Sequence, residues 1–105
     1  MDNAVTVIED IRALSPIDPD KLGHTTALKS PDVRIVVLTF PAGQMLKEHS
    51  SPKTLLMQAL DGRLRVTVGD QVVELVPGGI IRVDELVRHE VEALEASRLM
   101  LTLVG

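Results

Sequence analysis

Thr54-Leu55-Leu56-Met57-Gln58-Ala59-Leu60-Asp61-Gly62-Arg63-Leu64-Arg65-Val66-Thr67-Val68-Gly69-Asp70-Gln71-Val72-Val73-Glu74-Leu75 is a set of three alternating runs separated by two turn dipeptides. Side chains on a strand point to opposite faces in turn, so this alternation reads as half-buried sheet. Gly and Asp accept the positive φ of tight hairpin turns, which makes Asp61-Gly62 and Gly69-Asp70 two predicted hairpins. The first turn sets Leu60 opposite Arg63, Ala59 opposite Leu64, Met57 opposite Val66 and Leu55 opposite Val68. The second sets Val68 opposite Gln71, Val66 opposite Val73, Arg65 opposite Glu74 and Leu64 opposite Leu75. Both registers give the same inner face, made of Leu55, Met57, Leu64, Val66, Val73 and Leu75, with Gln58, Arg65 and Glu74 on the other side. A slip of one residue would mix the two faces, so the register is well determined.

Outward from this stretch the pattern continues. His24–Lys29, Val33–Phe40, Ile80–Val83, His89–Leu94 and Arg98–Val104 are further short runs rich in Val, Leu and Ile, bounded by Gly, Pro, Asp and Ser. Such spacing predicts an all-β sandwich or barrel. Residues 1–22 differ and read as an N-terminal arm: Val5 to Ile8 a short strand, Glu9 to Leu14 a helical turn, then a loop fixed by Pro16 and Pro19. Residues 23–105 form the barrel domain. A chain of 105 residues has room for one core. Phe40 is its only aromatic residue, so that core is aliphatic.

Composition narrows the function. Without cysteine there is no thiolate ligand, thiol nucleophile or disulfide. The net charge is −4, with arginines dispersed among acids, which argues against nucleic acid as a partner. Apolar runs such as Ile35 to Leu38 fall far short of the roughly 20 residues that span a bilayer. Met1-Asp2-Asn3 lacks the basic start of an export signal, so a cytoplasmic protein without a membrane partner is expected. Leu56, Leu60 and the two-sided apolar run Val33–Phe40 leave apolar surface outside the barrel, from which a homodimer is expected.

Three histidines remain as candidates for chemistry. His49 lies between Pro41-Ala42-Gly43 and Ser50-Ser51-Pro52, in a loop or at a strand start, and His89 between Arg88 and Glu90. In a closing sheet two such positions meet at the barrel mouth. The frame around them resembles the first cupin motif: Gly43, five residues, His49, Ser50, Ser51, then Leu55, six residues and Gly62. A second part, from Pro77-Gly78-Gly79 through Ile80-Ile81-Arg82-Val83 to Asp84, Leu86 and His89, is similar to the second cupin motif. Asp84 and Leu86 stand where that motif commonly has Pro and Gly. The resemblance covers about Thr26 to Leu103. It implies a single-domain cupin-like β-barrel, that is, a double-stranded β-helix or jelly roll.

Cupins commonly hold iron, manganese, nickel or zinc with three His and one Glu. By that resemblance His49 and His89 match the first and last ligands, whereas Ser51 and Leu55 replace the middle two. Two histidines make an incomplete metal site, so no resident cofactor is expected. If a metal is held it is a divalent ion of iron, manganese, nickel or zinc, with Asp84, Glu85 or His24 as candidate third ligands. The expected ligand pocket is built from His49, Ser51, Leu55, Met57, Val66, His89 and Arg82, with Met45 and Met100 as further lining candidates. Arg82 reads equally as an outward, solvated residue, and the histidines as hydrogen-bonded polar groups with Ser51 as partner. The favoured function is a binding module for a small organic molecule. The alternative is a metal-dependent enzyme, of oxygenase or isomerase type, using His49 and His89.

Overall fold

The computed structural model describes residues 4–105. Nine strands follow the arm: β1 Gly23–Lys29, β2 Val33–Phe40, β3 Met45–His49, β4 Thr54–Asp61, β5 Leu64–Val68, β6 Gln71–Leu75, β7 Ile81–Val83, β8 His89–Ala93 and β9 Ser97–Val104. They form two antiparallel sheets, one of order β1-β2-β9-β4-β7 and one of order β3-β8-β5-β6. No helix among the described residues is long and apolar enough to cross a membrane.

The inner faces of the two sheets meet over Val36, Leu38, Phe40, Leu55, Met57, Ala59, Leu64, Val66, Leu75, Val83, Val91, Ala93, Leu99 and Leu101. This is the aliphatic core that alternation predicts, with Phe40 fully enclosed in it. Most of the expected inner face is therefore present: Leu55, Met57, Leu64, Val66 and Leu75 are buried, while Val73 is half-buried. The second hairpin has the predicted register throughout, from Leu64 opposite Leu75 to Val68 opposite Gln71.

The first hairpin does not form. β4 pairs with β7 and β9, whereas β5 pairs with β6 and β8, so Asp61-Gly62 carries the chain from one sheet to the other. Side-chain alternation is kept through this corner, so the predicted inner face is right although the pairing behind it is absent. Gly62 has φ +85°, and a Cβ there would run into Ser97 Oγ and come within 2.5 Å of the Ala96 carbonyl oxygen. Only glycine fits a corner this close to the β8–β9 turn. Asp61 accepts from Arg98 N at 3.0 Å and Arg98 Nη1 at 2.7 Å, fixing the corner to β9.

The arm differs from expectation at its start, since Val5 to Ile8 is irregular and not a strand. A turn over residues 11–14 does form where a helical turn is expected, closed by Ser15 N to Arg12 O at 3.1 Å. Ser15 is buried, its carbonyl accepting from Arg98 Nε at 2.8 Å, and Arg12 donates to the Leu60 carbonyl. The chain's own arm thus sits against the outside of the larger sheet around Leu60, part of the surface that suggests a partner copy.

Candidate functional site

β8 alternates strictly, so His89, Val91 and Ala93 all face inward and are buried. β3 reaches the same place by a different route. Leu46 stands opposite Val91 and His49 opposite His89, so Lys47 and Glu48 of β3 lie against the single Glu90 of β8. This is a β-bulge, and the extra residue puts His49 back on Leu46's inner face. The histidines therefore meet as cross-strand neighbours within one sheet, with ring centroids 4.2 Å apart and planes inclined at 63°.

Their hydrogen bonds fix the tautomers. His49 Nδ1 lies 3.0 Å from the Lys47 carbonyl oxygen and His89 Nδ1 lies 3.0 Å from that of Val87. A carbonyl oxygen only accepts, so each Nδ1 carries the ring proton and donates. The two Nε2 atoms, 3.1 Å apart, then oppose each other with lone pairs. The neutral pair thus has two protons for three close contacts. Burial holds the His89 pKa below its ordinary value and the neighbouring His49 adds to that, while the bond to Val87 works in the opposite direction.

The pair opens into a pocket of about 290 Å³ lined by Val36, Leu38, Leu46, Leu55, Leu101 and Leu103 on its apolar side, with His24, Arg34, Ser50, Ser51 and Pro52 around its rim. Strand pairing explains this lining. His24 is opposite Leu38, and Arg34 is opposite Leu103, so both share the inner face of the larger sheet, yet both are exposed. Across the rim, Leu86 N donates to Ser51 O at 2.8 Å and ties the two loops beside the histidines together. Leu86 has φ 66°, a left-handed conformation at the position where the second cupin motif commonly has Gly.

Of the residues expected at the pocket, His49, His89, Ser51 and Leu55 line it. Met57 and Val66 do not, being completely enclosed in the core beneath. Arg82 does not either. It is opposite Leu56 on the outer face of the larger sheet, exposed and paired with Asp84, because the inward positions of β7 are Ile81 and Val83. Met45 is exposed, and Met100 is opposite Gln58 on the outer face. Arg34, which the sequence reading misses, is detectable as the charged residue in phase with Val36, Leu38 and Phe40.

Among the described residues no group of three or more His, Cys, Asp or Glu is placed to hold a metal ion. Asp84 is turned to Arg82, and Ser51 and Leu55 occupy the other two positions of the frame. The donor set is two imidazoles and does not match the four-ligand set that the resemblance implies.

A family model described as a cupin domain matches residues 36–105. Solved structures agree on the fold. A cupin superfamily protein from Desulfitobacterium hafniense DCB-2 is similar at 19% identity and TM-score 0.82, over 90% of this chain and 86% of that one. A conserved protein of unknown function from Streptococcus pyogenes is similar at 24% identity and TM-score 0.82, over 100% and 90%. A protein from Thermus thermophilus is similar at 22% identity and TM-score 0.83, over 93% and 96%. No curated protein matches the sequence.

Proposed function

The chain belongs to the cupin family, and from that premise we propose that it binds a small organic molecule through the His49/His89 pair without a tightly held metal. The observation that carries this reading is the opposed pair of Nε2 atoms at 3.1 Å, facing a largely apolar pocket. Each ring is oriented by its own backbone carbonyl, so the acceptors are preorganised and cost little to hold in place. A hydroxyl or N–H of the ligand supplies the missing hydrogen, and its apolar body lies against Leu38, Leu55, Leu101 and Leu103.

The same spacing favours one rival, a metal-dependent enzyme of oxygenase or isomerase type. The two Nε2 atoms, 3.1 Å apart, are close enough to share one divalent ion. Such an ion would have only two protein donors, with solvent or substrate completing its shell, and would be held weakly.

Thermal shift with a panel of small polar organic compounds tests the binding reading, comparing wild type with His49→Ala/His89→Ala. Ligands bound to the folded state raise the midpoint. Compounds whose effect disappears in the double variant support the reading. Compounds that stabilise both forms equally contradict it.

A further inference from the structure

The chain's arginines are nearly all neutralised. Arg12 and Arg98 reach Asp61, Arg63 lies near Glu74 and Glu95, and Arg65 pairs with Glu92, Arg82 with Asp84 and Arg88 with Glu48. Arg34 is the exception, making neither an ion pair nor a side-chain hydrogen bond among the described residues. It is also the arginine that lines the histidine pocket.

Among the described residues no acid of the pocket offsets its charge. The pocket lining contains His24, His49 and His89 and, among the described residues, no Asp or Glu. Lys29 is opposite Arg34 on β1, and Lys29 and Lys53 border an adjoining depression that shares Arg34, Ser51, Pro52 and Leu103. There Asp32 accepts from Ser30 Oγ at 3.1 Å, and Lys53 Nζ donates to the Gly105 oxygen at 2.6 Å. An unneutralised guanidinium above an apolar wall is a site for one negative charge attached to a hydrocarbon body. The planar fork of Arg fits a carboxylate with two parallel N–H···O bonds.

We infer that the pocket takes a small organic monocarboxylate, its carboxylate on Arg34 and its apolar body along Val36, Leu38, Leu101 and Leu103 toward the histidine pair. This rests on the binding function proposed above and adds the charge of the ligand. An amine of the same shape is excluded by Arg34, and an uncharged amide loses the charge-assisted bonds.

NMR titration of the isotope-labelled full chain with 6-hydroxyhexanoate, 6-hydroxyhexanamide and 6-amino-1-hexanol, each with a terminal hydroxyl for the histidine pair, at up to millimolar concentration tests the inference. 6-Hydroxyhexanoate is expected to shift the resonances of His49, His89 and the inner-face residues of β2, and to bind at least about tenfold tighter than 6-hydroxyhexanamide. Added salt should weaken it, since Arg34 is exposed. Arg34→Gln is expected to abolish the preference while leaving the dispersion of the core resonances unchanged. Equal binding of 6-hydroxyhexanoate and 6-hydroxyhexanamide by the wild type, or a preference that survives in Arg34→Gln, overturns the inference and leaves the binding reading standing. If none of the three compounds moves the pocket resonances, both fall.

Discussion

His49 and His89 are held in the same way: each donates from Nδ1 to the carbonyl two residues before it, and their Nε2 atoms face each other at 3.1 Å. This duplicated contact makes the pair an acceptor and ties the pocket's chemistry to the β3–β8 backbone.

His89 is 2% exposed and its pKa is lowered, chiefly by burial, from the ordinary 6.5. Below 6.5 the unfolded chain therefore takes up this proton more readily than the folded one, and stability rises with pH there. The contribution is complete above the unfolded value and is lost as pH falls from 6.5 toward the lower folded value. Urea midpoints measured from about pH 8 to about pH 5 are expected to decline through this window in wild type and less steeply in His89→Gln.

Leu86 is in the left-handed region with φ 66° and is 68% exposed, so its side chain contributes little packing to offset the strain. A left-handed L-residue costs about 1–2 kcal/mol, part of which glycine returns through its freer unfolded chain. Leu86→Gly is expected to stabilise the protein by about 0.5–1 kcal/mol in urea unfolding, and Leu86→Val to destabilise it by a similar amount or more.

Arg98 joins three parts of the molecule, reaching Asp61 at the β4–β5 corner and the Ser15 carbonyl of the arm from its place on β9. Its side chain is 18% exposed, and Asp61 is exposed to 36%, so the pair is only partly desolvated. Arg98→Ala is expected to cost about 2 kcal/mol and to release the arm. Limited trypsin digestion, cutting after Arg12 or Lys21, reads the release directly.

How far the sequence determines these features depends on the residues concerned. Gly69-Asp70 joins two strands of one sheet, so the register from Leu64–Leu75 to Val68–Gln71 is legible to the residue. Asp61-Gly62 has the same dipeptide chemistry, yet what sets its path is the close approach of Ser97 and Ala96 to Gly62, a tertiary contact with no local signal. β3 escapes recognition as a strand, because Lys47 and Glu48 break its alternation and the bulge shifts its phase. The two histidines can be chosen from the cupin frame, but their adjacency depends on that bulge. Arg82 is left open and Arg34 is missed for one reason: the face of a strand residue follows from its phase with the buried positions, Ile81 and Val83 in one case, Val36 and Leu38 in the other.

The central claim is that the His49/His89 pair serves a small organic ligand and not a resident metal ion. Elemental analysis of protein purified without chelator or histidine tag, wild type beside His49→Ala/His89→Ala, tests it most directly. The account predicts metal well below one ion per chain in wild type, unchanged in the variant. Near-stoichiometric metal in wild type that is lost from the variant would contradict it and favour the metal-dependent enzyme.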